Sequence, residues 1–208
     1  HYDYWLGYYA DQIEYIITEN LEQTEQRMNE WRDYLNPNPV ETQVRDVVVG
    51  PLITANWDQG SPYNTLCPGS PPTLVGCVAI SMAQVMHYWK YPDHAIGFES
   101  YTDPPGQSPS FGTITSSYGT SYDWYNMPNT GATEDTQLLL FETGVAVHMD
   151  YDYDGSGSYI DWGSNSARYA MKQNFDYEST AGGYPIYRNK SSYSDSNWET
   201  LIKNELDS

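Results

Sequence analysis

Residues 73–92 read TLVGCVAISMAQVMHYWKYP. From Val78 to Trp89 the apolar residues recur at helical spacing, which predicts one helix with an apolar face. Pro92 cannot continue such a helix, so we expect the helix to end near Lys90. The Gly-Cys step at the start of the run then places Cys77 at or near the first turn.

Cys77 is a candidate nucleophile because of this position. The free backbone N–H groups and the positive end of a helix dipole favour a thiolate, which is the reactive form of a cysteine. A buried structural cysteine is the alternative interpretation for a single Cys beside a helix. The only other cysteine is Cys67, and a secreted protein would permit the two to pair. The sequence leaves that choice open.

Further motifs surround this helix in a fixed order. They are PL at 51–52, WDQGSPYN at 57–64, GCVA at 76–79, MAQVM at 82–86, YDW at 122–124, GVAVHMDY at 144–151 and WETLIKNEL at 198–206. From about residue 48 onward, the chain resembles the streptopain family of secreted cysteine peptidases. One mild departure is Val75, which stands where the family pattern usually has Thr.

The resemblance implies a fold and a set of site residues. The fold would be α+β and papain-like, in its amino-terminal portion. Cys77 would be the nucleophile, and the side-chain amide of Gln59 would help the Cys77 N–H to bind the oxyanion. Ser156, Gly157 and Ser158 would line the non-primed side of the substrate cleft.

The general base is the missing part of this set. The family's histidine stands in a Gly-His-Ala strand that has no counterpart in these residues. The four histidines of the chain are in other contexts: His1, His87, His94 and His148. His87, for example, lies about three helical turns from Cys77, too far to accept its proton. We therefore expect this chain alone to be inactive, with its base supplied by a carboxyl-terminal fragment outside the segment.

Charge and composition restrict the partners. The formal net charge is -19, with 28 acidic against 9 basic residues, which argues against nucleic acids and anionic membranes as partners. No apolar run approaches the length of a membrane span. An acidic surface suits a secreted or cell-surface protein, and a protein or peptide substrate is the expected partner.

The chain is predicted to have two parts. Residues 1–46 are helical and resemble the end of a pro-domain, with a simple helical extension as the alternative, and residues 47–208 form the catalytic part. Asn36-Pro37-Asn38-Pro39 is the breaker before the boundary. Four further elements are predicted: a helix over 134–141 ended by Gly144, a strand over 145–149, a helix over 164–175, and a last helix capped by Ser194.

A second pattern of interest is acidic. Asp150, Asp152 and Asp154, with Gly155 and Asp161, have the spacing of a calcium-binding loop. The predicted flanks are a strand and a loop rather than two helices, and the last ligand is the shorter Asp, so the absence of a metal is the favoured interpretation. The peptidase chemistry itself requires no cofactor.

Two functions from different classes fit these observations. The first is a secreted cysteine endopeptidase whose nucleophile lies in this chain. The alternative is a catalytically incomplete, peptidase-derived module that binds a partner or assembles with itself, which the missing histidine and the 21 Tyr and 7 Trp residues favour. A second polypeptide with a Gly-His-Ala motif in the purified sample would support the first.

Overall fold

A computed structural model describes residues 51–103, 109–178 and 183–206. Contacts divide the chain into two compact units, His1–Val48 and Val49–Ser208, and the described residues all belong to the second. The predicted helical segment 1–46 lies outside them, so the division at residue 46 stays a prediction.

The second unit combines helices with a small antiparallel sheet, so its class is α+β. In chain order its elements are α1 (Cys77–Trp89), β1 (Phe98–Thr102), β2 (Thr113–Ser117), α2 (Glu134–Ala146), α3 (Ala167–Gln173), a 3₁₀ turn (Lys190–Ser192) and α4 (Asp195–Leu206). Long loops rich in Gly, Pro, Ser and Tyr connect them.

Helix α1 is the centre of the core, as its sequence predicts. Most of its apolar residues are buried, including Met82 and Met86. The helix ends where Lys90 adopts a left-handed conformation, with φ 51°, and donates its N–H to the carbonyl of Met86. The prediction of a helix from Cys77 to about Lys90 is therefore confirmed.

Helix α2 packs against α1 and is longer than predicted. Thr133 caps its start by a reciprocal hydrogen-bond pair with Thr136. The predicted end at Gly144 is wrong, because Gly144 lies inside the helix and a Cβ there would overlap the Tyr151 hydroxyl. This glycine is needed for close packing rather than for ending the helix. The strand predicted over 145–149 is also wrong, since its first residues complete α2 and a turn follows.

The sheet is a single hairpin in which β1 pairs with β2, from Phe98 opposite Ser117 to Thr102 opposite Thr113. Its inner face buries Tyr101 and Ile114. The Tyr101 hydroxyl donates to the carbonyl oxygen of Met149 over 2.5 Å. The hairpin is thereby joined to the segment after α2, which is important for the site.

The carboxyl-terminal elements bury few residues, and Ala170 is the buried residue of α3. Helix α3 is shorter than the predicted 164–175, because Ser166 caps it by accepting the N–H of Tyr169. Ser194 accepts the N–H of Asn197 over 3.3 Å, which confirms the predicted cap of α4. No residue of α4 is buried. Within the described ranges, no helix has the length and apolar character needed to cross a membrane.

Candidate active site

The site is built around the turn that begins α1. Gly76 precedes the helix with φ 93° and ψ 136°, a backbone conformation that favours glycine. A Cβ at Gly76 would lie 2.5 Å from the sulfur of Met149 and 3.3 Å from the carbonyl oxygen of Ser156. Cys77 follows as the first helical residue, and its side chain is exposed. The first turn of α1 contains no acidic residue, so no carboxylate on that turn opposes a thiolate there.

One side of this turn is bordered by the loop that carries Gln59. The N–H of Val75 donates to the carbonyl oxygen of Gln59 over 3.0 Å. The loop is fixed in turn by Trp57, a buried residue whose indole N–H donates to the carbonyl of Pro128 over 2.8 Å. Gln59 is itself half-buried. The structure therefore places Gln59, the predicted oxyanion residue, beside Val75, which is two positions before Cys77.

The other side of the turn is bordered by residues 150–158. The N–H of Leu74 donates to the carbonyl of Asp152 over 3.1 Å, and the hydroxyl of Ser156 donates to the carbonyl of Leu74 over 2.6 Å. Asp150 and Gly157 exchange two backbone hydrogen bonds of 2.9 and 3.0 Å. Ser156 is thus a buried residue that holds the turn. Its role toward a substrate stays a prediction, as do those of the half-buried Gly157 and Ser158.

The two cysteines are free thiols in different surroundings. Cys67 is buried, and this burial raises the pKa of its thiol to about 12. Cys77 is the exposed thiol at the helix start. The possibility of a Cys67–Cys77 disulfide is therefore not realised, and the accessible thiol is the predicted nucleophile.

The three histidines that the structure describes are each held by another group. The Nε2 of His87 lies 3.1 Å from the carbonyl oxygen of Met127, and burial lowers the pKa of this histidine. His94 pairs with Asp93. The Nε2 of His148 lies 2.7 Å from the Glu99 carboxylate. Among described residues no hydrogen bond or ion pair joins any of them to Cys77, while His1 lies outside that part of the chain.

The acidic loop makes a turn of its own. The Asp152 carboxylate accepts the N–H of Asp154 over 3.0 Å, and the N–H of Asp152 donates to the Ser156 hydroxyl over 2.9 Å. Across residues 51–103, 109–178 and 183–206, no group of three or more His, Cys, Asp and Glu side chains is arranged to hold a metal ion. The interpretation favoured from the sequence, that Asp150, Asp152 and Asp154 bind no calcium, stays a prediction.

A cavity of about 440 Å³ adjoins the loop that contains Ser156, Gly157 and Ser158. Its walls are Tyr101, Thr102, His148, Asp150, Gly157, Ser158, Tyr159 and Asn165. Sequence reasoning missed most of these residues. It assigned His148 to a strand, whereas the residue adopts φ 48° directly after α2, lies against Glu99, and stacks on Tyr101 with 4.6 Å between the ring centroids.

Comparison with solved structures defines the class of protein. The structure of active interpain A, a cysteine protease of Prevotella intermedia, is similar with a TM-score of 0.60 and 30% identity, covering 74% of this chain and 63% of that one. A prointerpain A fragment from the same organism gives a TM-score of 0.64 at 26% identity, covering 98% and 62% of the two chains. The predicted α+β papain-like cysteine peptidase fold is confirmed.

Comparison of sequences then defines the family. The model of the Peptidase C10 family matches residues 57–208, and the chain belongs to that family. It is 29% identical over 192 residues to streptopain of Streptococcus pyogenes, and 79% of this chain spans 46% of that protein. It is also 29% identical over 161 residues to the thiol protease/hemagglutinin PrtT of Porphyromonas gingivalis, where 72% of the chain spans 17% of the relative. The predicted resemblance to the streptopain family is confirmed.

Proposed function

We propose that this chain contributes the nucleophile to a secreted cysteine endopeptidase that hydrolyses peptide bonds. The observation that carries this proposal is an exposed Cys77 in the first turn of α1, on a turn tied by hydrogen bonds to the loop of Gln59 and to residues 150–158. Two loops from separate parts of the sequence therefore define the surroundings of one accessible sulfur. Such pre-organisation is what nucleophilic catalysis of acyl transfer requires.

In the proposed mechanism, the Cys77 thiolate attacks the carbonyl carbon of the scissile peptide bond. The resulting oxyanion accepts hydrogen bonds from the Cys77 N–H and the Gln59 side-chain amide. A histidine from outside this segment takes the thiol proton and delivers it to the leaving amine. Water then attacks the thioester, releases the acid product and restores the thiol.

The histidine base is proposed to come from another part of the protein because His87, His94 and His148 are held elsewhere. The chain spans less than half of the curated relatives that it matches. A carboxyl-terminal fragment is the partner that the mechanism needs. We propose secretion or surface display from the acidic composition and the streptopain resemblance. We propose no metal or cofactor, since no step of the mechanism requires one.

The experiment compares the protein of the full reading frame with this 208-residue chain. We expect the full protein to hydrolyse a fluorogenic peptide, and the shorter chain to be alkylated at Cys77 by iodoacetamide without hydrolysing the peptide. The variant Cys77→Ala should lose both reactions, while Cys67→Ala keeps them. Turnover by the shorter chain that depends on His94 or His148 would contradict the proposal. A full protein that assembles but never cleaves a peptide would favour the binding-module alternative.

A further inference from the structure

The cavity of about 440 Å³ is lined by residues of the loop that bonds to the turn before Cys77. Gly76 packs against the Met149 sulfur and the Ser156 carbonyl oxygen. The residues that follow these two, Asp150 and Gly157, are walls of the cavity. Gly157 is bonded directly to the Ser156 carbonyl, so one wall of the cavity adjoins a backbone group that contacts the turn of Cys77.

The size and walls of the cavity suit one side chain of a peptide. Its volume is within the range of about 300–1,000 Å³ that is typical of ligand pockets. The rings of Tyr101 and Tyr159 give it aromatic surface, while Ser158 and Asn165 add polar groups. Tyr159 is more than half exposed, so its ring is accessible to an arriving ligand. A long alkyl stem with a polar end can be bound by such walls.

The charges of the cavity are unbalanced. Among the walls of the cavity, His148 is paired with Glu99. The charged wall residue that remains is Asp150, with its carboxylate. The charges that act on Asp150 from nearby residues are those of Asp103 and Asp152, which are negative as well. The cavity therefore has a negative potential at this carboxylate.

No basic residue of the described chain pairs with Asp150. The walls contain neither lysine nor arginine. The nearest arginine along the chain, Arg168, donates its Nε to the carbonyl of Pro185 over 2.6 Å and lies over the ring of Tyr184. A cation that enters the cavity would therefore meet an uncompensated carboxylate, which it would stabilise in the ionised form.

We propose that this cavity is a specificity subsite for a lysine or arginine side chain of the peptide substrate, with Asp150 as its ion-pair partner. This inference rests on the proposed peptidase function. The ammonium or guanidinium group binds Asp150, and the alkyl stem packs on Tyr159. The residue in question lies on the amino-terminal side of the scissile bond, because Gly157 and Ser158, the predicted residues of that side, are walls of the same cavity.

The test uses peptidyl chloromethyl ketones, which alkylate the nucleophile without a leaving amine. Two series carry the variable residue two or three positions before the ketone. Each series has two probes. One carries lysine at the variable position, and the other carries norleucine, a side chain of similar length without the charge. The rate of labelling of Cys77 in the full protein is followed by intact mass. We expect the lysine probe of at least one series to react about tenfold faster than its norleucine counterpart.

The variant Asp150→Asn should bring this ratio to about one, and high salt should lower it in the wild-type protein. Asp154→Asn is the matched control, because Asp154 is an exposed residue of the same loop and is not a wall of the cavity; it should keep the ratio. Equal rates for lysine and norleucine in both series, or a preference that survives in Asp150→Asn, would overturn the subsite. Failure of the peptidase proposal would give a different result, in which iodoacetamide labels Cys77 but none of the peptidyl probes does. In that case both the peptidase function and the subsite would be rejected.

Discussion

The turn that carries Cys77 and the carboxyl-terminal stretch 183–206 are held in different ways. Leu74 and Val75 bond on one side to Gln59 and on the other to Asp152 and Ser156. Asp152 and Ser156 are distant from the turn in sequence. The helix that follows is buried along most of its apolar face. The nucleophile is therefore positioned by contacts that this chain supplies itself.

The stretch 183–206 shows the opposite organisation. Two of its ion pairs are local and exposed, Lys190 with Asp195 at 2.6 Å and Lys203 with Glu199 at 2.8 Å. Pairs of this kind stabilise a fold little. Ile186 and Leu206 are large exposed apolar residues. A groove of about 710 Å³ is lined by Glu178 and residues 185–188 together with Trp198, Leu201 and Glu205 of α4. This stretch has apolar surface available for another part of the protein, whereas the Cys77 turn is already complete.

The largest expected effect concerns the loop of Gln59. If its side-chain amide binds the oxyanion, Gln59→Ala should lower kcat of the full protein by about 10²–10³-fold. Gln137→Ala is the matched control, because Gln137 donates to the carbonyl of Pro62 over 2.9 Å and so belongs to the structural contacts of the same loop. We expect it to change kcat little. Equal losses in the two variants would show that Gln59 only supports the fold.

The second prediction tests the helix that packs behind α1. Glu142 of α2 is buried at 1% exposure, and this burial raises its pKa to about 7 despite hydrogen bonds from Tyr122 and Ser116 and the attraction of His94. The folded state therefore binds a proton that the unfolded state has lost between about pH 4.5 and 7. Stability should fall as pH rises through this window, by at most about 3 kcal/mol.

Denaturant unfolding of the 208-residue chain between pH 4.5 and 8 measures this slope. Glu142→Gln should remove the fall, since the amide carries no titrating proton, and leave the opposite slope of buried His87, whose lowered pKa makes stability rise with pH below about 6.5. Glu134→Gln, an exposed change in the first turn of the same helix, should leave the slope as it is. A wild-type stability that rises between pH 5 and 7 would contradict the assignment of the slope to Glu142.

The third prediction tests the turn itself. Gly76→Ala places a Cβ against the Met149 sulfur at φ 93°, which should cost about 1–3 kcal/mol of unfolding free energy. Gly155→Ala is the control, because a Cβ at Gly155 meets nothing within 4 Å and its φ is not in the left-handed region. Its cost should be below about 0.5 kcal/mol. The difference between the two variants measures how firmly the turn is packed.

The sequence was informative where a signal was local. The helical spacing after Cys77, the stop before Pro92 and the Ser194 cap are set by the residues themselves, and each was confirmed. The motif order also led to the family and the papain-like fold. Along the carboxyl-terminal half, however, the helix ends depended on which side chains packed against them.

Gly144 shows why those ends were missed. Glycine commonly ends a helix, but here it makes room for the Tyr151 hydroxyl, a contact that only the tertiary structure reveals. Because the predicted end of the helix is too early, the sequence predicts a strand for the valines after it and gives no sign of the His148–Glu99 contact. The cavity could not be predicted for the same reason: its walls come from β1, the turn after α2 and the loop beyond.

The smallest expected effect is in α4, where it sharpens the comparison between the two regions. Ile202 is 41% exposed, while Leu140 of α2 is fully buried. In the 208-residue chain, Ile202→Ala should change the unfolding free energy by less than about 0.5 kcal/mol, and Leu140→Ala should cost about 2–5 kcal/mol. In the full protein, the part that carries the base should cover the apolar side of α4, so Ile202→Ala should then cost about 1–3 kcal/mol. The same small effect in both proteins would mean that α4 stays exposed and that the base-carrying part binds elsewhere.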